Sequence, residues 1–335
     1  LRALLNNLHP RLGTYAAWVG RRVGLWHGDT GQGERRRMLD DPPDILLTTP
    51  ESIEAMLVST RVDHRALFAD LRTVVVDELH AFAGDDRGWH LLAVLERLQR
   101  LAGRPLQRLG MTATVGNPTE LLAWLTRSGQ LGPGVDPGVV VAPEGRPGGP
   151  GRPADADVAL DYVGTVANAA TVIQRLHPGE KRLVFCQSRA QTEALAAELR
   201  GREVPTVVSH SSLSADERRH AERTFAESSE CVVVATSTLE LGIDIGDLDR
   251  VVQLDAPGTV ASFLQRLGRT GRRPGTQRNM LFLTTSTAGL LQSAALLGLW
   301  RDGFVEPVIA PPDPAHIAAQ QLLANAEGEA GAVVC

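Results

Sequence analysis

Two adjacent carboxylates stand directly after an apolar, β-rich run in the segment Val74-Val75-Val76-Asp77-Glu78-Leu79-His80. Ligands of parallel α/β sheets bind beyond the carboxyl ends of the strands, so these two acids are placed where a substrate can reach them. One carboxylate can hold Mg²⁺, usually through water, and its neighbour can orient and deprotonate an attacking water. A solvated strand end at which an Asp and a Glu happen to fall explains this segment equally well.

Hydroxyl side chains follow two further β-rich runs. Thr112 and Thr114, in Gly110-Met111-Thr112-Ala113-Thr114, can hydrogen-bond the carboxylates and relay a shift, or can simply precede a helix that Asn117 opens. After Ala235, Thr236 and Ser237 can bind a backbone phosphate, and Asp244, beyond a turn at Gly242, can accept a hydrogen bond from a ribose hydroxyl. A tight structural loop is the alternative for this second segment.

Arginines and glycines are interleaved in Gln265-Arg266-Leu267-Gly268-Arg269-Thr270-Gly271-Arg272-Arg273. Arg269 and Arg272 are three residues apart, so we expect them to share one face at the end of a helix. Arginine forks suit phosphate oxygens and can stabilise the charge that develops in phosphoryl transfer. The density of arginine and glycine disfavours the alternative, a solvated basic face.

The elements that must position these residues alternate between short β-rich runs and helical patterns, which predicts parallel sheets with helices on both faces. Predicted strands cover 23–26, 45–48, 73–76 and 106–111, and then 181–186, 205–209, 230–235, 250–254 and 279–283. Gly and Pro dominate residues 132–153, where only Val139-Val140-Val141 suggests a strand, so we predict a flexible linker after it. The predicted division is a domain over 1–142, a linker over 143–157, a domain over 158–303 and a further region over 304–335.

Composition excludes several classes of protein. The chain has 335 residues with 34 basic and 39 acidic side chains, a net charge of −5. This charge excludes a strongly basic protein that coats nucleic acid, but it does not exclude a local basic groove. Its three cysteines are far apart and form no CxxC pair, so neither a zinc cluster nor a disulfide framework is supported. We therefore expect a reducing cytoplasm. An apolar run of about 18 residues, as a membrane span requires, does not occur.

Taken together, these segments resemble the motifs of superfamily 2 helicases. Residues 77–80 resemble the DExH box, 112–114 the Ser/Thr-Ala-Thr motif, 236–245 the fifth motif and 265–272 the sixth, QRxGRxGR. Weaker resemblances are 1–7 to motif Ia, 49–52 to motif Ib and 184–189 to motif IV. Within the superfamily, three segments are similar to the large-helicase-related, or Lhr-like, group. They are residues 237–247, 210–214 and 306–323.

The resemblance implies two tandem RecA-like α/β domains followed by the start of a winged-helix domain. It implies an ATP-dependent helicase with ATP and Mg²⁺ as cofactors and single-stranded or partly duplex nucleic acid as partner, DNA being favoured over RNA. The resemblance also favours a role in DNA repair and movement in the 3′-to-5′ direction. Catalytic roles fall on Asp77, which would hold Mg²⁺, on Glu78, which would activate water, and on His80, Arg269 and Arg272. Contacts to the nucleotide are implied for Gly242, Asp244 and Gln265. Contacts to the phosphates of the nucleic-acid strand are implied for Arg2, Thr49, Ser188 and Thr236. Thr112 and Thr114 would couple the nucleotide site to the nucleic-acid site.

One departure from the family pattern is large. A Walker A loop needs Gly-Lys-Ser/Thr, because its lysine reaches the β- and γ-phosphates. The single lysine of this chain, Lys181, stands between Glu180 and Arg182, so the given sequence contains no such loop. We expect the loop to precede Leu1 in a longer protein, and these 335 residues alone to be inactive. A decayed motor that serves as a nucleic-acid-binding scaffold, and a motor subunit of a nuclease or restriction system, remain the alternatives.

Overall fold

The computed structural model of the chain describes residues 2–127, 138–142, 156–210, 228, 230–236 and 248–328. The chain divides into two compact units, of which unit 1 comprises Leu1–Val141 and Pro307–Cys335 and unit 2 comprises Ala142–Glu306. None of the helices in the described ranges is long and apolar enough to cross a membrane.

Helices and short strands alternate throughout. Unit 1 contains α1 (Arg2–Trp18), β1 (Val23–Trp26), α2 (Gln32–Asp40), β2 (Ile45–Thr48), α3 (Pro50–Val58), α4 (His64–Phe68), β3 (Thr73–Val76), α5 (Leu79–Ala83), α6 (Asp86–Ala102), β4 (Gln107–Gly110) and α7 (Pro118–Arg127). Unit 2 contains β5 (Ala156–Tyr162), α8 (Val166–Arg175), β6 (Lys181–Phe185), α9 (Arg189–Arg200), β7 (Thr206–Ser209), β8 (Cys231–Ala235), β9 (Arg250–Leu254), α10 (Val260–Leu267), β10 (Arg278–Thr284) and α11 (Thr287–Arg301). The last helix, α12 (Ala315–Gly328), belongs to unit 1.

Unit 1 is organised around α6, whose ends are both fixed locally. Asp85 caps its start by accepting a hydrogen bond from the Arg87 amide, and Gly103 ends it in the left-handed conformation that glycine adopts at little cost. Leu91, Leu95 and Leu98 recur at helical spacing and lie buried in the core of this unit. Two parallel strand pairs, β1 with β2 and β3 with β4, border that core.

Unit 2 contains a six-stranded parallel sheet in the order β5-β10-β9-β6-β8-β7. Its central strands are continuous apolar runs because both faces of a parallel sheet are covered. Successive residues of β6 point to opposite faces, so Leu183 and Phe185 join one core layer while Val184 joins the other. The predicted α/β fold built from parallel sheets is confirmed.

The strand predictions fail in two places. Residues 138–142 form no strand, and Val139 and Val141 are 77% and 82% exposed, so that apolar run is not part of a core. Conversely, β5 begins inside the predicted linker and pairs with β10 along its whole length. As an edge strand it alternates between half-buried and exposed residues, so it lacks the apolar run that marks the inner strands. The rest of the predicted linker, 143–155, lies outside the described residues.

Candidate functional site

The acidic segment forms a tight turn between β3 and α5. Val76 is paired with Gly110, so the carboxyl ends of β3 and β4 meet, and the amides of Met111 and Leu79 extend the pairing. Asp77 accepts a hydrogen bond from the Glu78 amide at 2.9 Å. Glu78 itself has a φ of 52°, a left-handed conformation that costs a side chain about 1–2 kcal/mol. Such strain is concentrated at functional sites, and here it fixes where the second carboxylate stands.

His80 is the residue that connects this turn to the next strand end. Its Nδ1 lies 3.0 Å from the Thr112 hydroxyl and its Nε2 lies 3.6 Å from a carboxylate oxygen of Glu78. Burial lowers the pKa of His80, although the nearby charge of Asp77 opposes this, so the ring is neutral at pH 7. The sequence pointed to the carboxylates as partners of Thr112, whereas the structure shows the imidazole of His80. Thr114 lies half-buried two residues further along the chain.

Asp77 fits the requirements of a Mg²⁺ ligand. It is half-buried at the strand end, and the one hydrogen bond described above engages only its Oδ1. Magnesium is commonly held by one or two carboxylates together with substrate phosphates and water, rather than by a cage of protein ligands. No cluster of three or more metal-ligating side chains occurs within the described ranges. The Mg²⁺ site that this segment can form is therefore one in which a carboxylate acts together with substrate phosphates and water.

The predicted strand-phosphate contacts of unit 1 lie at helix starts. Thr49 caps α3, since its hydroxyl accepts from the Ser52 amide at 3.3 Å and lies 3.1 Å from the Ser52 hydroxyl. Pro50 at the first helical position is pre-organised for such a start. Helix N-termini favour anions, so a phosphate is compatible with the cap. Arg2 begins α1, but its side chain is outside the described part.

The corresponding residues of unit 2 share one edge of the sheet. Phe185 and Ala235, the last residues of β6 and β8, are register partners. Ser188 follows β6 and caps α9 by accepting from the Gln191 amide at 3.1 Å, and its side chain is exposed. Thr236 follows β8, half-buried, with its amide 3.3 Å from the Ser209 carbonyl. Gly242 and Asp244 lie outside the described residues.

The arginine segment departs from the predicted geometry. Helix α10 ends at Leu267 with Gly268 as its cap, so Arg269 and Arg272 do not share a helix face as expected. Arg269 is only 8% exposed, whereas Arg272 is exposed and its Nε donates to the Gly268 carbonyl at 3.0 Å. Gln265, the predicted nucleotide contact, is half-buried on α10.

Arg266 has a structural role that the sequence did not reveal. Its guanidinium donates to the Gln253 side chain at 2.6 Å and stacks over Phe185 at 4.8 Å, and both polar residues are buried. Glu306 was also missed. Its carboxylate accepts from the amides of Val260 and Ala261 at 2.8 and 3.0 Å, so it caps the start of α10 from a position far along the chain. The spacing of residues along the sequence near either Glu306 or α10 does not indicate this contact.

Known protein families match the two units of the chain separately. A DEAD/DEAH box helicase family matches residues 1–122, and the helicase conserved C-terminal domain matches residues 166–274. The Lhr helicase/probable uracil glycosylase of Mycolicibacterium smegmatis is 32% identical over 91% of this chain. The ATP-dependent helicase Lhr-Core of Methanothermobacter thermautotrophicus is 32% identical over 92% of it. The chain thus carries both domains of a DEAD/DEAH box helicase and is similar to Lhr-type helicases over most of its length.

Solved structures extend this assignment to the fold. The structure of Mycobacterium smegmatis helicase Lhr bound to ssDNA and AMP-PNP superimposes with a TM-score of 0.79 at 32% identity, covering 97% of this chain and 44% of that one. The helicase MrfA bound to DNA shares the fold with a TM-score of 0.75 at 22% identity, covering 98% and 45%. The two units of this Lhr-like chain are therefore RecA-like domains, as the sequence resemblance implied. The chain spans 22% of the M. smegmatis protein and 37% of the M. thermautotrophicus protein.

Proposed function

We propose that the chain forms the motor of an ATP-dependent helicase that moves along single-stranded DNA. The observation that supports this most directly is the strained turn after β3, where Asp77 and Glu78 stand at the strand end and His80 contacts Thr112. A motor needs such a connection, because hydrolysis at the carboxylates must be transmitted to the elements that hold the strand.

Each residue of the turn has a chemical role in this proposal. Asp77 would hold the Mg²⁺ that comes with ATP, and a bound ion there would screen the charge of the phosphates. Glu78 orients the attacking water and accepts its proton. Arg272, exposed after α10, stabilises the charge that develops on the γ-phosphate, and the buried Arg269 supports it. Asp244, Gly242 and Gln265 contact the nucleotide.

Nucleic acid is held through its phosphates. Thr49 and Ser188 place capping hydroxyls and free helix amides where phosphate oxygens can bind, and Arg2 and Thr236 add further contacts. Phosphate contacts carry no sequence information, which suits a motor that must step along any strand. The related M. smegmatis Lhr bound to ssDNA and AMP-PNP supports DNA and ATP as the ligands.

The test uses the full-length gene product with single-stranded DNA and RNA of equal length and composition. We expect ATP hydrolysis that DNA stimulates more than RNA, and unwinding of a duplex that carries a single-stranded 3′ tail. Asp77→Asn should abolish both activities, because the Mg²⁺ ligand loses its charge. Nucleic-acid binding without any stimulated hydrolysis would instead support a decayed motor that acts as a scaffold.

A further inference from the structure

A cavity of about 350 Å³ opens on unit 1, apart from the turn described above. Helix α4 contributes His64 and Arg65 to its wall, α6 contributes Arg97 and Arg100, and α12 contributes Asn325, with leucine side chains completing the lining. Helices α4 and α6 thus bring three guanidinium groups to one concave surface, which α12 also borders. Cavities from about 300 Å³ upwards are of the size that binds small ligands.

The cavity carries an unbalanced positive charge. Its lining, within the described part of the chain, contains three arginines and no acidic residue. Arg97 is paired with Glu54, which packs behind it. In the described part of the chain, Arg65 and Arg100 have no ion-pair partner, and both side chains are exposed. Two guanidinium groups therefore remain available to an incoming anion.

Arg97 is held rigidly at the back of the cavity. Glu54 also accepts hydrogen bonds from His90 at 3.2 Å and from Gln321 at 2.8 Å. Burial alone would raise the pKa of Glu54, but the hydrogen bonds from His90, Gln321 and Arg97 lower it to about 2, so the carboxylate stays charged. The network links α3, α6 and α12, which fixes three of the four helices that line the cavity relative to each other.

His64 adds an unsatisfied polar atom at the same place. Its Nδ1 is buried and has no hydrogen-bond partner among the residues that the structure describes. Buried polar atoms in folded proteins are nearly always paired, so a ligand in the cavity that reached this nitrogen would gain a hydrogen bond that the described residues leave unmade.

We propose that this cavity is a binding site for a small phosphate-bearing anion. Arginine forks from two helices match the oxygens of a phosphate or diphosphate group better than single point charges would. A polynucleotide is disfavoured because the cavity is concave and lies at the far end of α3 from Thr49. Thr49 precedes the first residue of that nine-residue helix and the cavity-lining Leu57 is its penultimate residue, a separation of about 12 Å along the axis.

Calorimetric titration of the purified protein with pyrophosphate tests this site, with a single-stranded oligonucleotide as the second arm. We expect a saturable pyrophosphate site that the double variant Arg65→Ala, Arg100→Ala weakens about a hundredfold, since each charge-assisted contact contributes about tenfold. Arg61→Ala is the matched control, because Arg61 is an exposed arginine close in sequence that does not line the cavity. Both altered side chains of the double variant are exposed, so its melting temperature should equal that of the control.

Two results would overturn the proposal. Pyrophosphate affinity that is equal in the double variant and the control would place any binding elsewhere, including at the nucleotide site. Loss of oligonucleotide affinity in the double variant, without saturable pyrophosphate binding, would make this face part of a nucleic-acid surface. Neither result bears on the proposed helicase activity, because no residue of the cavity belongs to the turn or to the arginine segment.

Discussion

The imidazole of His80 and the hydroxyl of Thr112 are 3.0 Å apart, although 32 residues separate them in the sequence. This contact joins the carboxyl ends of β3 and β4 just beyond their last paired residues, Val76 and Gly110. Because burial lowers the pKa of His80, the ring stays neutral and the contact does not depend on a charge. Glu78 lies 3.6 Å from the other ring nitrogen, so a change at Glu78 can be transmitted through His80 to the segment after β4.

Replacement of Thr112 by valine should separate ATP hydrolysis from unwinding. The substitution removes the hydroxyl while nearly keeping the side-chain shape, so it breaks one hydrogen bond worth about 1 kcal/mol. We expect DNA-stimulated hydrolysis to persist while the number of base pairs opened per ATP falls several-fold. Parallel measurement of phosphate release and unwinding in the full-length protein gives this ratio.

The matched control for that variant is Thr73→Val. Thr73 bonds Gln107 at 3.1 Å across the same two strands, but at their opposite end. An equal loss of coupling in both variants would show that the strand pair as a whole matters, and would contradict a specific role for the His80 contact.

Replacement of Glu78 by glutamine should abolish turnover and spare ATP binding. Glutamine keeps the shape and the strained backbone position but loses the group that accepts the proton of water. General base catalysis contributes about 10²–10⁴ in rate, so kcat should fall by at least the lower figure. Equilibrium titration with a fluorescent ATP analogue should give a nearly unchanged Kd.

Glu34→Gln, an exposed carboxylate on α2, serves as the control for general effects of charge on turnover. Hydrolysis at the wild-type rate in Glu78→Gln would assign the base to another residue.

The sequence predicted the strands around this turn better than the contacts at their ends. Predicted strands 23–26, 45–48 and 73–76 coincide with β1, β2 and β3, because each is a short apolar run bounded by polar or turn residues. The helical interpretation of Arg269 and Arg272 failed because Gly268 ends α10 before either residue. The Glu306 cap and the cavity lining join segments distant in sequence, and no local periodicity encodes such contacts.

The network of Glu54 predicts a specific acid sensitivity of unit 1. The folded-state pKa of Glu54 is lowered from 4.5 to about 2, so its contribution is fully present above pH 4.5 and is lost as the pH falls towards 2. Glu54→Gln should lower the free energy of unfolding by about 2 kcal/mol at pH 7, since Arg97 loses its charged partner. Urea unfolding between pH 7 and pH 2.5 should show this difference shrinking below pH 4.5. A difference that stays constant across that range would mean that the charge of Glu54 does not contribute.

Arg272→Ala should reduce catalysis and leave nucleic-acid affinity intact. A guanidinium that stabilises the transition state of phosphoryl transfer can contribute about 10³ or more in rate. One that contacts a nucleic-acid phosphate instead contributes about one unit of the dependence of log affinity on log salt. The side chain is exposed and, among the described residues, bonds only the local Gly268 carbonyl, so its removal should not destabilise unit 2. Arg273→Ala is the neighbouring control, because Arg273 is paired with Asp249. We therefore expect a severe loss of kcat and an unchanged salt dependence in Arg272→Ala. A lowered salt dependence with normal kcat would move Arg272 to the nucleic-acid surface.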